Sequence, residues 1–175
     1  MNAEIHKFPD KSKSRTFLVF QVGGQRYGVP SGNVQQITPM AELHLPPGTP
    51  KLLAGFLNLE SLMIPVVCLH HLFNLPPKPV HLWTPLVVLR IGDTSLALLV
   101  DDVQQILRAG PDNVLPLMTG QVLNDCVEGI VQQQSGTSVL LLSAERLLLQ
   151  KELESIAALQ QLAQQRLCEL DSVQA

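Results

Sequence analysis

The sequence predicts an all-β protein with minor α content, in which two small five-stranded β-barrels pack together and a long C-terminal α-helix follows them. Three observations lead to this prediction: an internal repeat, short apolar runs between turn residues, and a C-terminal segment with helical spacing. Residues 17–37 (FLVFQVGGQRYGVPSGNVQQI) recur without a gap at residues 86–106 (LVVLRIGDTSLALLVDDVQQI), an offset of 69 residues. A period of this length is too long for a solenoid unit, so it indicates two copies of one β unit.

The first copy predicts five strands, because runs of aliphatic and β-branched residues alternate with turn-forming residues. Gly23-Gly24 would close the first hairpin, since glycine adopts positive φ without steric cost. Pro65 should weaken the fifth strand or place it at an edge or bulge, because proline has no N–H to donate. The predicted strands cover residues 17–22, 26–30, 34–38, 52–57 and 62–67, and a short helical turn at 69–73 and a proline-rich linker to about residue 85 follow.

The second copy repeats this order, with strands predicted at residues 86–91, 95–100, 103–107, 126–132 and 138–142 and a loop at 110–122. Its end also matches the first copy, since Ile64–Val67 aligns with Val139–Leu142 at an offset of 75 residues. The six extra residues are loop growth, which costs little free energy at a surface. One sheet of five short strands leaves open edges and a bare face. Closure into a barrel and packing of two barrels would cover both, which predicts a first barrel at residues 16–84 and a second at 85–142.

Residues 143–173 are predicted to form the long helix. Ser143 can cap its N-terminus, and Glu145 in the first turn would complement the helix dipole. About thirty residues make a rod of roughly 45 Å, which is longer than one small barrel can cover. Part of the apolar stripe should therefore need another partner; the stripe consists of Leu149, Leu153, Ile156, Ala163, Leu167 and Leu170.

The composition excludes several classes of protein. Hydrophobic residues make up 46% of the chain and charged residues 15%, which is typical of a folded domain. A net charge of −3 gives no electrostatic footprint for nucleic acid. No apolar run approaches the roughly 18 residues that span a bilayer, and residues 1–15 read as a polar, flexible tail rather than a signal peptide. Cys68, Cys126 and Cys168 are far apart and odd in number, which favours reduced thiols in a cytoplasm.

No motif predicts catalysis, a metal or a cofactor. The adjacent His70 and His71 would diverge by about 100° on a helix and could not easily share one ion. Asp101-Asp102 is interpreted as a solvated turn rather than an acid–base pair, because sequence neighbours rarely face one site. The chain has no G-x-S-x-G motif and no glycine-rich phosphate loop before a helix. What remains is apolar surface, which would serve a protein partner or be buried between the two halves.

An ordered set of segments resembles the CheW-like coupling domain of bacterial chemotaxis over about residues 16–150. The segments are FLVF (17–20), YGV (27–29), VQQI (34–37), GFLNLES (55–61), IPVV (64–67), LLVDDV (98–103), Gly129 and VLLLS (139–143). The resemblance implies two pseudo-symmetric barrels related to SH3-like barrels, with a third apolar core between them. It also implies a non-catalytic, cytoplasmic adaptor that is monomeric in isolation and joins receptor arrays at the membrane.

The implied partners are the helical cytoplasmic tip of a chemoreceptor and the regulatory domain of a histidine autokinase. The receptor tip would pack in an apolar groove between the barrels, and the kinase would meet exposed barrel ends. Carried onto this sequence, the groove residues are Val34, Gln36, Ile37, Gly55, Leu57, Asn58, Glu60, Val88 and Val100.

The chain departs from the family pattern at two charged positions. The family turn Asn-Leu-Arg-Gly is here Asn58-Leu59-Glu60-Ser61, and the family glutamate before the isoleucine is Gln36. Both members of a charge pair have therefore changed, and glutamine could still hydrogen-bond the carboxylate. This predicts a coupling protein with a non-standard receptor, or one that serves pili or another output. The rival interpretation is a structural two-barrel domain that self-associates through its C-terminal helix and has no sensory role.

Overall fold

The computed structural model describes residues 14–117 and 126–173, apart from the side chain of Gln150. The predicted tail up to residue 13 and the end of the predicted 110–122 loop lie outside the described residues. The strands are β1 (Arg15–Val22), β2 (Gln25–Pro30), β3 (Val34–Pro39), β4 (Leu43–His44), β5 (Leu53–Leu59), β6 (Leu62–Cys68), β7 (Pro85–Ile91), β8 (Thr94–Leu99), β9 (Asp102–Ala109), β10 (Val114–Pro116), β11 (Val127–Gln132) and β12 (Ser138–Leu142). The helices are α1 (Leu69–Leu72) and α2 (Gln150–Val173), with short 3-10 helices at Ser31–Asn33, Pro111–Asn113 and Ala144–Arg146.

Within the described residues, the strands form two six-stranded sheets. Sheet 1 has the order β10-β11-β12-β2-β1-β9, and sheet 2 has the order β4-β5-β6-β8-β7-β3. Strands that correspond in the sequence repeat occupy the same positions in the two sheets. The structure therefore confirms that the chain is mostly β, with two packed sheets and one long C-terminal helix.

Each sheet combines strands from both copies of the repeat. The third strand of each copy leaves its own hairpin, so that β3 pairs with β7 and β9 pairs with β1. Sheet 1 contains the opening hairpin of the first copy, and sheet 2 contains that of the second. The prediction that residues 16–84 form one barrel and residues 85–142 the other is wrong, because a repeat predicts which segments are strands but not which copies pair.

The number of strands also differs from the prediction. Among the described residues, each sheet has six strands rather than five. The sequence did not predict β4 and β10, because they are only two and three residues long and lie in proline-containing segments without a strand pattern. The hydrogen-bonded order of each sheet ends at two edge strands. The expected barrel closure is therefore not seen in the strand pairing of the described residues.

In the part of the chain that the structure describes, three hydrophobic clusters form the core, as the resemblance implies. One lies within sheet 1, one lies within sheet 2, and the largest contains residues of both sheets. Alternate residues of a strand face different clusters, because successive side chains point to opposite faces. Phe17 and Val19 belong to the sheet 1 cluster, whereas Leu18 and Phe20 belong to the shared cluster.

The long helix begins later than predicted. Residues 144–146 form a 3-10 helix, and α2 starts at Gln150 rather than near Ser143, whose side chain makes no capping hydrogen bond. The Glu152 carboxylate instead accepts a hydrogen bond of 2.7 Å from the Leu149 N–H, just before the helix. Leu147 and Leu148 are buried, so this segment anchors the chain to the shared core before α2 begins.

Only the middle of the apolar stripe on α2 is buried. Ile156 and Ala163 are 4% and 0% exposed, whereas Leu153 and Leu170 are 40% and 66% exposed. The sheets therefore cover the central part of the helix and leave both ends of the stripe open, as its length predicted.

Candidate functional site

The nine predicted groove residues fall into an exposed group and a buried group. Gln36, Ile37, Asn58 and Glu60 are exposed, and Val34 is half-buried. The four buried residues are Gly55, Leu57, Val88 and Val100. Sequence reasoning could not make this distinction, because aliphatic residues of a strand that lies in a core and of a strand that lines a groove look alike.

The buried group builds the framework beneath the exposed group. Leu57 and Val88 belong to the sheet 2 cluster, and Val100 belongs to the shared cluster. Gly55 has φ of 145°, and a Cβ there would lie 2.9 Å from the carbonyl oxygen of His44, so glycine lets β4 approach β5 closely. These residues offer no accessible side chain and can act only by shaping the surface above them.

The exposed residues of β3 lie on an edge strand. The pairing with β7 shifts register between Val34 and Gln36, and this bulge leaves residues 35, 36 and 37 all exposed. Ile37 is 47% exposed, and Gln36 lies opposite the buried Val88. An edge strand with exposed apolar and amide side chains is a suitable surface for a protein partner.

The other exposed residues lie at the turn between β5 and β6. The two edges of sheet 2 must approach each other, because β3 ends at Pro39 and β4 begins at Leu43, and four residue steps span at most about 14 Å. β4 pairs with β5, which carries Asn58 and leads to Glu60. The connection therefore keeps the end of β3 near the strand that pairs with β5, and no hydrogen bond joins the described side chains of Gln36 and Glu60.

Glutamines of α2 bind this turn and the start of β6, a contact that the sequence analysis did not predict. The Gln160 side chain donates a hydrogen bond of 2.8 Å to the carbonyl of Met63, and the Gln164 side chain accepts one of 3.0 Å from the N–H of Met63. Gln164 also donates a hydrogen bond of 3.0 Å to the carbonyl of Ser61. The i, i+4 spacing of the two glutamines was the available signal, since it places them on one helix face.

A second polar cluster links the two sheets, and it overturns the interpretation of Asp101 as a solvated residue. The His70 Nε2 atom lies 2.7 Å from the Asp101 Oδ1 atom, and both side chains are about nine-tenths buried. The other Asp101 oxygen accepts a hydrogen bond of 2.8 Å from the N–H of Gly23, in the β1–β2 turn of sheet 1. His70 Nδ1 lies 2.9 Å from the carbonyl of Pro76, and the Lys78 ammonium lies 3.5 Å from Asp101.

These contacts determine how the Asp101 carboxyl titrates. Burial raises its pKa, but the hydrogen bonds from His70 and Gly23 and the charges of His70 and Lys78 outweigh burial, so the pKa lies below its usual value of 3.8. Asp101 is therefore ionised at neutral pH and acts as an acceptor that joins the end of β8 to sheet 1. The cluster is a structural clamp: within the described part of the chain, no three His, Cys, Asp or Glu side chains are placed to hold a metal ion.

Comparison with known proteins assigns the chain to a family. The sequence pattern of the CheW-like domain matches residues 16–152. This chain belongs to the CheW-like domain family. Its members are non-catalytic scaffolds in chemotaxis, and this CheW-like chain is one of them. The match ends in the first turn of α2, so nearly all of that helix lies outside the family pattern.

Individual relatives agree with this assignment. The CheW-like chain is 27% identical over 149 residues to chemotaxis protein CheW from Treponema pallidum (strain Nichols), which covers 81% of this chain and 86% of the relative. It is 25% identical over 114 residues to chemotaxis protein CheW from Klebsiella aerogenes, which covers 65% of this chain and 69% of the relative. The fold is similar to that of the scaffolding protein TtCheW from Thermoanaerobacter tengcongensis, with a TM-score of 0.68 and 20% identity over 75% of this chain and 90% of that one. Neither described helix is both long and apolar enough to cross a membrane.

Proposed function

We propose that this CheW-like chain couples the helical cytoplasmic tip of a chemoreceptor to the regulatory domain of a histidine autokinase. The receptor tip docks on the surface formed by Gln36, Ile37, Asn58 and Glu60, and the kinase domain meets exposed ends of the sheets. The observation that carries the proposal is the exposed edge of β3, which presents Ile37 beside polar side chains on a rigid sheet. The protein is cytoplasmic, monomeric in isolation and brought to the membrane by its receptor.

The negative charge of the proposed docking surface favours a receptor helix with a basic side chain. Glu60 is exposed at the tip of the β5–β6 turn, and Gln36 is neutral, so this end of the molecule carries an anion that attracts a cation. A receptor helix with lysine or arginine opposite Glu60 fits this surface, and one with a carboxylate there is repelled.

Titration calorimetry tests the proposal with two purified probes, a soluble helical-hairpin fragment of a chemoreceptor tip and the regulatory domain of a histidine kinase. Both should bind the full chain, and together they should form a ternary complex by size-exclusion chromatography. Glu60→Arg should change the preference among receptor fragments of opposite charge without unfolding the protein. Absence of binding to any kinase regulatory domain from the same cell would contradict the proposed coupling.

A second function is favoured by one observation. Leu162, Leu170 and Val173 are 51%, 66% and 82% exposed on the distal part of α2, where a second copy of the chain could bind. Sedimentation velocity at several concentrations separates the two functions. An oligomer that is lost on deleting residues 155–175 would support self-association, and a monomer whose state is unaffected by that deletion would count against it.

A further inference from the structure

The first half of β6 is unpaired on the side that faces away from β5. Its parallel ladder with β8 begins only at Val66, immediately after Pro65, which has no N–H to donate. Pro65 was expected to weaken this strand or to place it at an edge or bulge; it pairs with Phe56 of β5 in an interior strand, and only the β8 side of the strand lacks pairing before Val66. The N–H and C=O of Met63 point to this open side, and the side-chain amides of Gln164 and Gln160 bind them at 3.0 Å and 2.8 Å. The helix thus provides the hydrogen bonds that a neighbouring strand would otherwise provide.

The turn next to this contact has an unfavourable backbone for its residues. Glu60 and Ser61 have φ of 50° and 68°, in the left-handed region that glycine adopts far more readily than other residues. Gln164 donates a hydrogen bond to the Ser61 carbonyl, so the same side chain holds both Met63 and the turn. The turn therefore receives a hydrogen bond from the helix in addition to the pairing of Leu59 with Leu62 that closes it.

We propose that Gln164 is a positioning residue for partner recognition: it holds the Glu60–Ser61 turn in its left-handed conformation and so fixes the direction of the Glu60 carboxylate. The partner is a receptor helix that places a lysine or arginine side chain against Glu60. The inference rests on the proposed receptor function, and it assigns a role to α2, which lies almost wholly beyond the family match at residue 152. Removal of the Gln164 amide should loosen the turn without unfolding the sheets, because Ile156 and Ala163 keep the helix docked.

The experiment compares Gln164→Ala with Gln161→Ala, which makes the same change at an exposed position of the same helix. Hydrogen exchange of the backbone amides of residues 59–63 in the free protein measures order in the turn and does not depend on any partner. Gln164→Ala should speed this exchange about fivefold or more, as expected for the loss of roughly one hydrogen bond, and Gln161→Ala should not. Unchanged exchange in Gln164→Ala would overturn the inference, whatever the protein binds.

The binding arm uses the same receptor-tip hairpin and kinase regulatory domain as probes. Gln164→Ala should weaken receptor binding about fivefold and leave kinase binding unchanged. Ser61→Gly, which makes the left-handed turn intrinsically favourable, should restore receptor binding in the Gln164→Ala background. Failure of this rescue, or an equal loss of kinase binding, would show that Gln164 acts through general stability and would overturn the inference. Absence of receptor binding by the wild-type chain would instead count against the proposed function, and the exchange measurement would still decide the role of Gln164.

Discussion

The hairpins β5–β6 and β11–β12 occupy equivalent positions in the two sheets, but their ends are held in different ways. The β11–β12 turn contains Gly136 with φ of 80°, and it is closed by a hydrogen bond of 2.9 Å from the Gln133 N–H to the Thr137 carbonyl. Arg26, in the neighbouring strand β2, donates to the side chains of Gln133 and Thr137. The β5–β6 turn lacks glycine, and its Ser61 carbonyl accepts a hydrogen bond from the side chain of Gln164 on α2.

The sequence repeat therefore duplicates the arrangement of the strands but not the contacts that support the hairpin ends. The strand order and the alternation of core residues are the same in both sheets. The support for each hairpin end is specific: it comes from within sheet 1 in one case and from a helix outside the family pattern in the other. A change in α2 can therefore alter the candidate receptor turn and leave the equivalent turn of sheet 1 untouched.

The largest expected effect concerns the docking of α2 itself. Ile156→Ala should lower the free energy of unfolding by about 2–5 kcal/mol, because it removes a side chain buried in the shared core. Leu162→Ala, at an exposed position of the same helix, should change it by less than about 0.5 kcal/mol. Chemical denaturation measures both. Equal effects of the two substitutions would show that the helix is not docked through Ile156.

The second-largest effect concerns the clamp that Asp101 and His70 form between the sheets. The first copy of the repeat lacks the equivalent aspartate. Asp101 occupies the position that Gly32 has in the first copy. Asp101→Asn should destabilise the protein by about 1.5–3 kcal/mol at pH 7, because a charged acceptor for His70 and Gly23 is lost. Asp102→Asn is the matched control, since its side chain is exposed.

The clamp should also make the stability of the folded protein depend on pH in the acid range. Because the pKa of Asp101 is lowered in the folded protein, its stabilising contribution is complete above the ordinary value of 3.8 and is lost as the pH falls through the folded value. The stability difference between wild type and Asp101→Asn should therefore shrink only in acid. A difference that stays constant down to pH 2 would contradict this account.

The two turns should respond in opposite directions to substitutions that add or remove glycine. Ser61→Gly should stabilise the protein by about 1 kcal/mol, because Ser61 has a left-handed backbone. Gly136→Ala should destabilise it by about 1 kcal/mol for the converse reason, since a Cβ at Gly136 meets no atom within 4 Å and only the backbone is strained. Thermal unfolding compares the two variants, and shifts of the same sign would show that backbone preference does not distinguish the turns.

The smallest effect concerns the support of the sheet 1 hairpin. Arg26→Ala should cost at most about 1 kcal/mol, because its hydrogen bonds to Gln133 and Thr137 are long and partly exposed. It should speed amide exchange near residues 133–137 and leave the turn at residues 59–63 unchanged. Faster exchange in both turns would mean that the two hairpins are coupled through the core rather than held separately.

The sequence was sufficient to predict the repeated strands and the Gly23-Gly24 turn, because each depends on local backbone chemistry or on repetition. It could not predict the exchange of strands between sheets, since apolar alternation is the same whichever strand pairs. Leu57 and Val88 were expected to line a groove because the family resemblance implied it, but they are core residues. Asp101 and Gln164 were missed because their partners lie 31 and about 100 residues away in the chain.

The identical segment VQQI in the two copies offers the most direct test of the central claim, that receptor docking belongs to sheet 2 alone. Ile37 on β3 and Ile106 on β9 are both on edge strands and are 47% and 60% exposed. Titration calorimetry with a chemoreceptor-tip hairpin should show at least about tenfold weaker binding for Ile37→Asp and unchanged binding for Ile106→Asp. Equal loss in both variants, or loss only in Ile106→Asp, would contradict the account.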